Sequence, residues 1–494
     1  MKKILASILL VSLLQSCGRE SMSEINTDPN SYYTTVPSTL VTYAEKQLTD
    51  YVTTPNVNIN NFRLTMQYWQ ETTYLDESQY DFSTRNVTNN VWLYLYVRTL
   101  KNLDQAKKLI KAYKPTAAEA ATWPKTMQNQ LAIVDLLQVY TYQILVDTHG
   151  DVPYTESLDI DMNPLPKYDS GKDIYASLIN RTKQNLANFD MSGLTFGSGE
   201  KFYYIAPTPS CNAACAAKLE IAKWKKFGNS LLIKLGIALA DSDPALAQST
   251  ILAGINGGPI MSSADDCKLP YLTSPNYSQL YTNLVASNRT DYVAGRPFVN
   301  YLKNSSDPRI DQYFQKVNGD YVGGAIGEKS PATVNSLPGS FAYSQTTPGI
   351  LLNSTEVAFY IAEASARWGI GGDPATNYAA AVTASFKQWG KTTAEADTYL
   401  AAHPYDAANW KKSIGEQAWV AMYDQPLASF NFWRRLDFPV LLPATNAVAE
   451  AGGKVPVRLK YPVSEQTTNP DNYAAGSAAI GGDKLTTKVF WDKN

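Results

Sequence analysis

Residues 86–113, NVTNNVWLYLYVRTLKNLDQAKKLIKAY, decide how the fold is read. Within them Trp92, Leu95, Tyr96, Leu103, Ala106 and Ile110 recur at i, i+3, i+4, i+11, i+14 and i+18. That spacing lays one apolar stripe along a long amphipathic helix. Downstream, Pro124 suits a first helical turn. The segment to Thr148 repeats the stripe with Ile133, Leu136, Leu137, Tyr140 and Ile144. His149-Gly150 follows, and glycine is a suitable stop.

The same reasoning predicts helices over 38–52, 57–69, 171–189, 217–241, 243–253, 355–369, 375–390, 406–423 and 426–435. Between them, 149–169, 191–216, 256–297, 317–350 and 437–486 are rich in Gly, Pro, Ser, Asn and Tyr. Loops of such length carry function more often than plain connectors do. Alternating β-branched and aromatic residues predict short β pieces at 455–461 and 487–491. Paired helices separated by turns predict a mainly α fold, a degenerate tetratricopeptide-like helical-repeat scaffold with long irregular loops. No clean 34-residue consensus runs through it.

The start of the chain speaks to compartment. Lys2 and Lys3 precede the uncharged run ILASILLVSLL at 4–14, a secretory h-region too short to span a bilayer. Leu14-Gln15-Ser16-Cys17-Gly18 looks like a lipoprotein box, so cleavage before Cys17 would leave a cysteine for acylation. Two or more acyl chains anchor a protein stably. Residues 19–35 then read as a polar tether, and Glu20 and Glu24 resemble surface-export signals of some outer-membrane lipoproteins. The expected division is a leader over 1–16, a lipidated tether over 17–35 and one binding domain over 36–494. Losing Lys2 and Lys3 with the leader takes the net charge from −2 to −4. That is no electrostatic footprint for nucleic acid.

Three cysteines follow Cys17. Cys211 and Cys215, four apart in an exported chain, favour a local disulfide over zinc, since no histidine lies nearby. Pairing of either with Cys267, or a reduced set, stays open. Catalytic motifs are missing: there is no GxSxG, P-loop or HExxH, and the two histidines are His149, before a glycine stop, and His403, before Pro404. The chain reads as a non-enzyme without cofactor or metal.

The aromatic usage says more, with 32 Tyr and 10 Trp, many of them in loops. A loop tyrosine offers a flat apolar face and a hydroxyl, which suits a sugar ring or a peptide. The candidates are Trp69, Tyr74 and Tyr80, in a loop bearing Gln, Glu and Asp, and Tyr281 and Tyr292. Gln70, Asn288 and Arg289 would bond ligand hydroxyls or carbonyls. Any single loop tyrosine has a plainer reading, as packing for the loop against the helices.

Several segments, spread almost end to end, together resemble the SusD/RagB family of nutrient-binding outer-membrane lipoproteins. They are 26–30 (NTDPN), 149–156 (HGDVPYTE), 224–232 (WKKFGNSLL), 307–314 (DPRIDQYF), 356–364 (EVAFYIAEA), 416–423 (EQAWVAMY) with 432–435 (FWRR), and 455–462 (VPVRLKYP). The resemblance implies a tetratricopeptide-like scaffold on the cell-surface side of the outer membrane. It also implies an oligosaccharide or peptide ligand, passed to a SusC-type TonB-dependent barrel transporter. Residue by residue these segments read as scaffold: Val357, Tyr360, Ile361 and Ala364 share one helix face, and Trp433-Arg434-Arg435 suggests an ion-pair cluster at a helix end. The stretch 207–215 departs from the family pattern. A structural or adhesive lipoprotein on the same scaffold is the alternative.

Overall fold

The computed structural model describes residues 35–493. Cys17, the leader and most of the tether lie outside them. The scaffold helices are α1 (Pro37–Thr53), α2 (Lys101–Ala112), α3 (Trp123–His149), α4 (Gly171–Asn188), α5 (Ala213–Ala238) and α6 (Pro244–Asn256). The second half adds α7 (Ser354–Trp368), α8 (Pro374–Gln388), α9 (Thr393–Ala402), α10 (Trp410–Ala421) and α11 (Pro426–Leu436). Four pairs, α1–α2, α3–α4, α5–α6 and α7–α8, pack within themselves. They stack through α2 on α3, α4 on α5 and α5 on α7. This is the expected helical-repeat scaffold. Buried residues from Val41 to Trp491 form one continuous core.

Local chemistry starts the helices where they start. Proline opens α1, α6, α8 and α11, where its missing N–H costs nothing. Asp243 and Asp373 cap α6 and α8 by accepting the Leu246 and Thr376 N–H groups. Thr392 and Glu395 close a capping box on α9. That helix was not predicted, because it buries only Ala396 and Tyr399 and leaves little periodic signal.

The opening stretch is helical with one departure. Val87–Trp92 is α-helical, Leu93–Leu100 is π-helical, and α2 continues to Ala112. Buried residues run Val87, Val91, Leu95, Leu100, Leu103, at steps of four, four, five and three. Steps of four and five outrun a 3.6-residue turn. Wider i→i+5 turns, such as Lys101 N–H to Tyr96 O, keep those residues on one face.

Two expectations fail for physical reasons. Over 57–69 only Phe62–Thr65 is helical. Asn56 and Asn60 use their side chains to accept the N–H groups of Asn58 and Phe62, so asparagine competes with the helix ladder. The segments 455–461 and 487–491 form no strand. The first is instead tied to the body by separate bonds, Leu459 N–H to Thr148 O and Val457 N–H to Leu485 O.

Strands pair as two-stranded antiparallel ribbons: β1 (Trp69–Glu71) with β5 (Tyr292–Ala294), β2 (Val152–Pro153) with β3 (Tyr168–Asp169), and β4 (Cys267–Leu269) with β6 (Gly349–Leu352). The first and third staple a long loop to a distant part of the chain, and the second closes the loop 149–169 on itself.

The segments singled out by resemblance cross-link the interior. Asp307 and Arg309, both fully buried, make a bidentate pair, and Arg309 also donates to Ser385 and Gln417. Arg435 grips Glu363. Lys234 meets Glu356 at 2.6 Å, and Glu356 also accepts from Tyr360 and Gln425. Arg458 donates twice to the carbonyl of His149 and pairs with Asp483.

Candidate functional site

The β1–β5 ribbon brings together two loops that the sequence offered separately. Trp69 faces Ala294 and Glu71 faces Tyr292. The pairing continues outward as Thr72 N–H to Asp291 O at 2.8 Å and Thr72 Oγ1 to Thr290 O at 2.9 Å. Gly295 lets the ribbon close, because a Cβ there would sit 2.1 Å from the Gln67 carbonyl oxygen.

This placement sorts the candidate residues. Trp69 is fully buried, its indole N–H donating to the Tyr423 hydroxyl at 2.7 Å and its ring lying under the Arg63 guanidinium. Gln70 is equally buried and accepts from Gly327 N–H while donating to Glu71, Ser78 and Glu328. Tyr80, at φ 70°, is buried and accepts the Ala444 N–H. Tyr292 packs 5.4 Å from Trp69. These four are therefore corrected from ligand contacts to supports: Trp69, Gln70 and Tyr292 are buried on the β1–β5 ribbon, and Tyr80 is buried in the loop that follows β1.

The other four reach solvent. Tyr74 is 60% exposed and carries the Arg85 guanidinium over its ring. Asn288 is exposed, and Arg289, 55% exposed, pairs with Asp291 at 2.7 Å. Tyr281 is half-buried against Tyr277 and accepts from Gln345. The ribbon thus joins Tyr74, Arg289 and the edge of Tyr292 around a dimple of only about 20 Å³, with Arg85 and Asp291 on its rim.

Beneath the dimple lie two carboxyl groups. Glu71 accepts the Ser78 N–H and hydroxyl, and Glu77 faces Arg85 at 3.2 Å. Burial first, and Glu77 beside it, push Glu71 up to about 8 against the Ser78 bonds. Burial likewise raises Glu77. Both carboxyl groups thus hold their protons to higher pH than free acids do, and the Ser78 and Arg85 contacts brace the loop from within.

His149 is not poised for acid–base work. Burial, helped by the Arg458 charge, pushes it down to about 3, so it stays neutral. His403 lies with Nε2 2.9 Å from the Ser305 carbonyl and its ring against Tyr399. Cys211 and Cys215 form a disulfide across the start of α5, where Asn212 caps the helix. Cys267 is free and buried. The described residues hold no group of three or more His, Cys, Asp or Glu arranged to bind a metal ion. No described helix is long and apolar enough to cross a membrane.

A much larger concavity, about 1010 Å³, opens elsewhere, between α8, the β4–β6 ribbon and the segment around Phe341. None of its lining residues belongs to the candidate set. The recessed part of its α8 wall is lined by alanines and a threonine, which carry no chemical signal in a sequence.

The SusD-like family model described as "Starch-binding associating with outer membrane" matches residues 29–462. Among solved structures, a chitin-binding protein is 25% identical, with a TM-score of 0.77 over 93% of this chain and 100% of that one. A chitin-binding SusD homologue from Flavobacterium johnsoniae is 21% identical, with a TM-score of 0.73 over 92% and 98%. A SusD homologue from Bacteroides thetaiotaomicron VPI-5482 is 22% identical, with a TM-score of 0.74 over 93% and 100%. No curated protein matches the chain.

Proposed function

Because the chain belongs to the SusD-like family, we propose that it captures a glycan at the outer-membrane surface and passes it unaltered to a partner transporter. The observation that carries this reading is the family match over most of the chain, joined by full-length likeness to chitin-binding proteins of the same fold. Chitin-type oligosaccharides are the first ligands to try, with a peptide as the fallback class. The contact surface offered by the loops is Tyr74, Tyr281, Asn288 and Arg289, where ring faces and hydrogen-bonding groups stand in solvent. Acylation at Cys17 tethers residues 36–494 to the membrane, and a SusC-type TonB-dependent barrel receives the cargo. Nothing in this role calls for turnover.

Isothermal titration of intact protein with hexamers of N-acetylglucosamine, glucose and xylose tests the ligand, with Kd expected between about 1 mM and 1 μM. Pull-down from gently solubilised outer membranes should recover a far heavier barrel. Recovery of the lipoprotein alone, with no glycan bound, would instead favour the structural or adhesive reading. Cys17→Ala should move the protein from the membrane fraction to the soluble one.

A further inference from the structure

We infer that the groove beside α8 is a second glycan-binding site, seating a neutral oligosaccharide chain apart from the Tyr74–Arg289 surface. The inference rests on the reading above that the ligand is a glycan. Three observations support it.

The first is shape. At about 1010 Å³ the groove lies at the upper end of the usual range for ligand sites, about 300–1,000 Å³. The concavity comes from α8 itself. Two successive turns present Ala379, Ala380, Thr383 and Ala384 to the groove, and side chains this short leave the helix surface recessed. The third turn presents Lys387 and Gln388 at the rim.

The second is the aromatic wall. Trp389, just past the end of α8, and Phe341 both line the groove and meet edge to face at 5.1 Å. Tyr313 braces Trp389 from a third side at 4.7 Å. Rings held this firmly lose little freedom on stacking against a sugar.

The third is the polar complement. Lys268 and Lys387 on the lining are matched by Asp266 and Asp397, while Asp424 is already neutralised by Arg63 at 2.8 Å. A balanced rim does not favour an anionic or a cationic cargo. Hydrogen-bonding capacity is nevertheless left over. Gln388 accepts from Asn353 through Oε1, which leaves its amide N–H groups for another partner, and Thr383 lines the same space. Stacking rings beside unspent donors and acceptors, with no charge preference, match a sugar chain's apolar faces and hydroxyl edges.

The test uses intact protein and the hexaoses named above. Ala380→Trp plugs the recess from an exposed helical position, and Gln388→Ala removes an amide without adding bulk. Tyr74→Ala with Arg289→Ala strips the loop surface. In that stripped background the best-bound hexaose should still bind. Adding Ala380→Trp should then weaken it at least tenfold with the melting temperature unchanged, and Gln388→Ala severalfold, with a modest fall in melting temperature as Asn353 loses its acceptor. If the hexaose binds intact protein but neither groove change weakens it in either background, the groove is overturned and the glycan reading stands. If no hexaose binds intact protein, both fall. A peptide that binds and is blocked by Ala380→Trp would overturn the glycan class while confirming the cleft.

Discussion

The interior cross-links and the β1–β5 loop surface draw on the same residue types, arginine, acid and aromatic, yet use them in opposite ways. Arg309 and Asp307 are both fully buried, and every branch of the guanidinium has a partner. Arg289 and Asp291 form an ion pair as short, but over half of the arginine side chain is in solvent. A buried pair is costly to break, because the surviving charge has no water to turn to. An exposed pair is worth little. The described segments by which the chain resembles its family supply much of the first region, Asp307 with Arg309 and Glu363 with Arg435 among them, and none of the exposed residues of the β1–β5 loop surface.

The sharpest way to break this contrast is Arg309→Ala. It leaves Asp307 buried, orphans Ser385 and Gln417, and removes a cation stacked 4.6 Å from the Phe386 ring. A loss of about 3–5 kcal/mol is expected by urea denaturation. A loss under about 1 kcal/mol would mean that the interior pairs are not what holds the frame.

Trp69→Ala comes next. The sequence alone would have it weaken ligand binding and spare stability. The structure reverses this, since the ring is fully buried and bonded to Tyr423. Unfolding should cost at least about 3 kcal/mol less, seen as a large fall in melting temperature. A stable variant with weakened glycan binding would return Trp69 to the ligand surface.

That reversal shows where the sequence stops being informative. Helix periodicity located α1, α3, α4, α7 and α11 to within a few residues, although burial ranges from one face of α4 to nearly every side of α7, α11 and the second half of α3. Trp69 and Tyr74 lie five residues apart in one polar-looking stretch, and nothing local tells inward from outward. The difference arises from β5, more than 200 residues away, which pairs with β1 and fixes which side chains point in. The disulfide was easier to foresee, since a five-residue loop needs no distant partner. The groove beside α8 was illegible for another reason: a recess is made by what small side chains leave out.

A smaller effect is expected from pH. Glu200 lies buried, accepting the Phe202 and Tyr203 N–H groups, with the carboxyl groups of Glu45 and Glu220 and the charge of Lys201 around it. Burial, reinforced by the Glu220 charge, pushes it up to about 8, and burial with the Glu200 charge raises Glu45. The folded state therefore holds a proton that the unfolded chain has released above its ordinary value of 4.5. Stability should fall as pH rises from about 4.5 to about 8 and level off beyond, with a loss on the order of a few kcal/mol. Glu200→Gln, which mimics the protonated acid, should flatten that slope in pH-dependent melting. An unchanged slope would place that proton on another group.

The smallest stability effect belongs to Tyr74→Ala, and its smallness is the point. The ring is 60% exposed, and its one recorded ring contact is the Arg85 guanidinium 5.6 Å above it. An exposed cation–π contact contributes about 0.5–1 kcal/mol, and Arg85 keeps Asp76 and Glu77 when the ring is gone. Denaturation should therefore shift by less than about 1 kcal/mol. Trp69→Ala in the same loop should shift it by several times that. The ratio of the two measures how sharply the ribbon divides one loop into a buried support and a free surface. If Tyr74→Ala proves as destabilising as Trp69→Ala, the loop is a single packed unit, and the contact surface proposed for the glycan is lost with it.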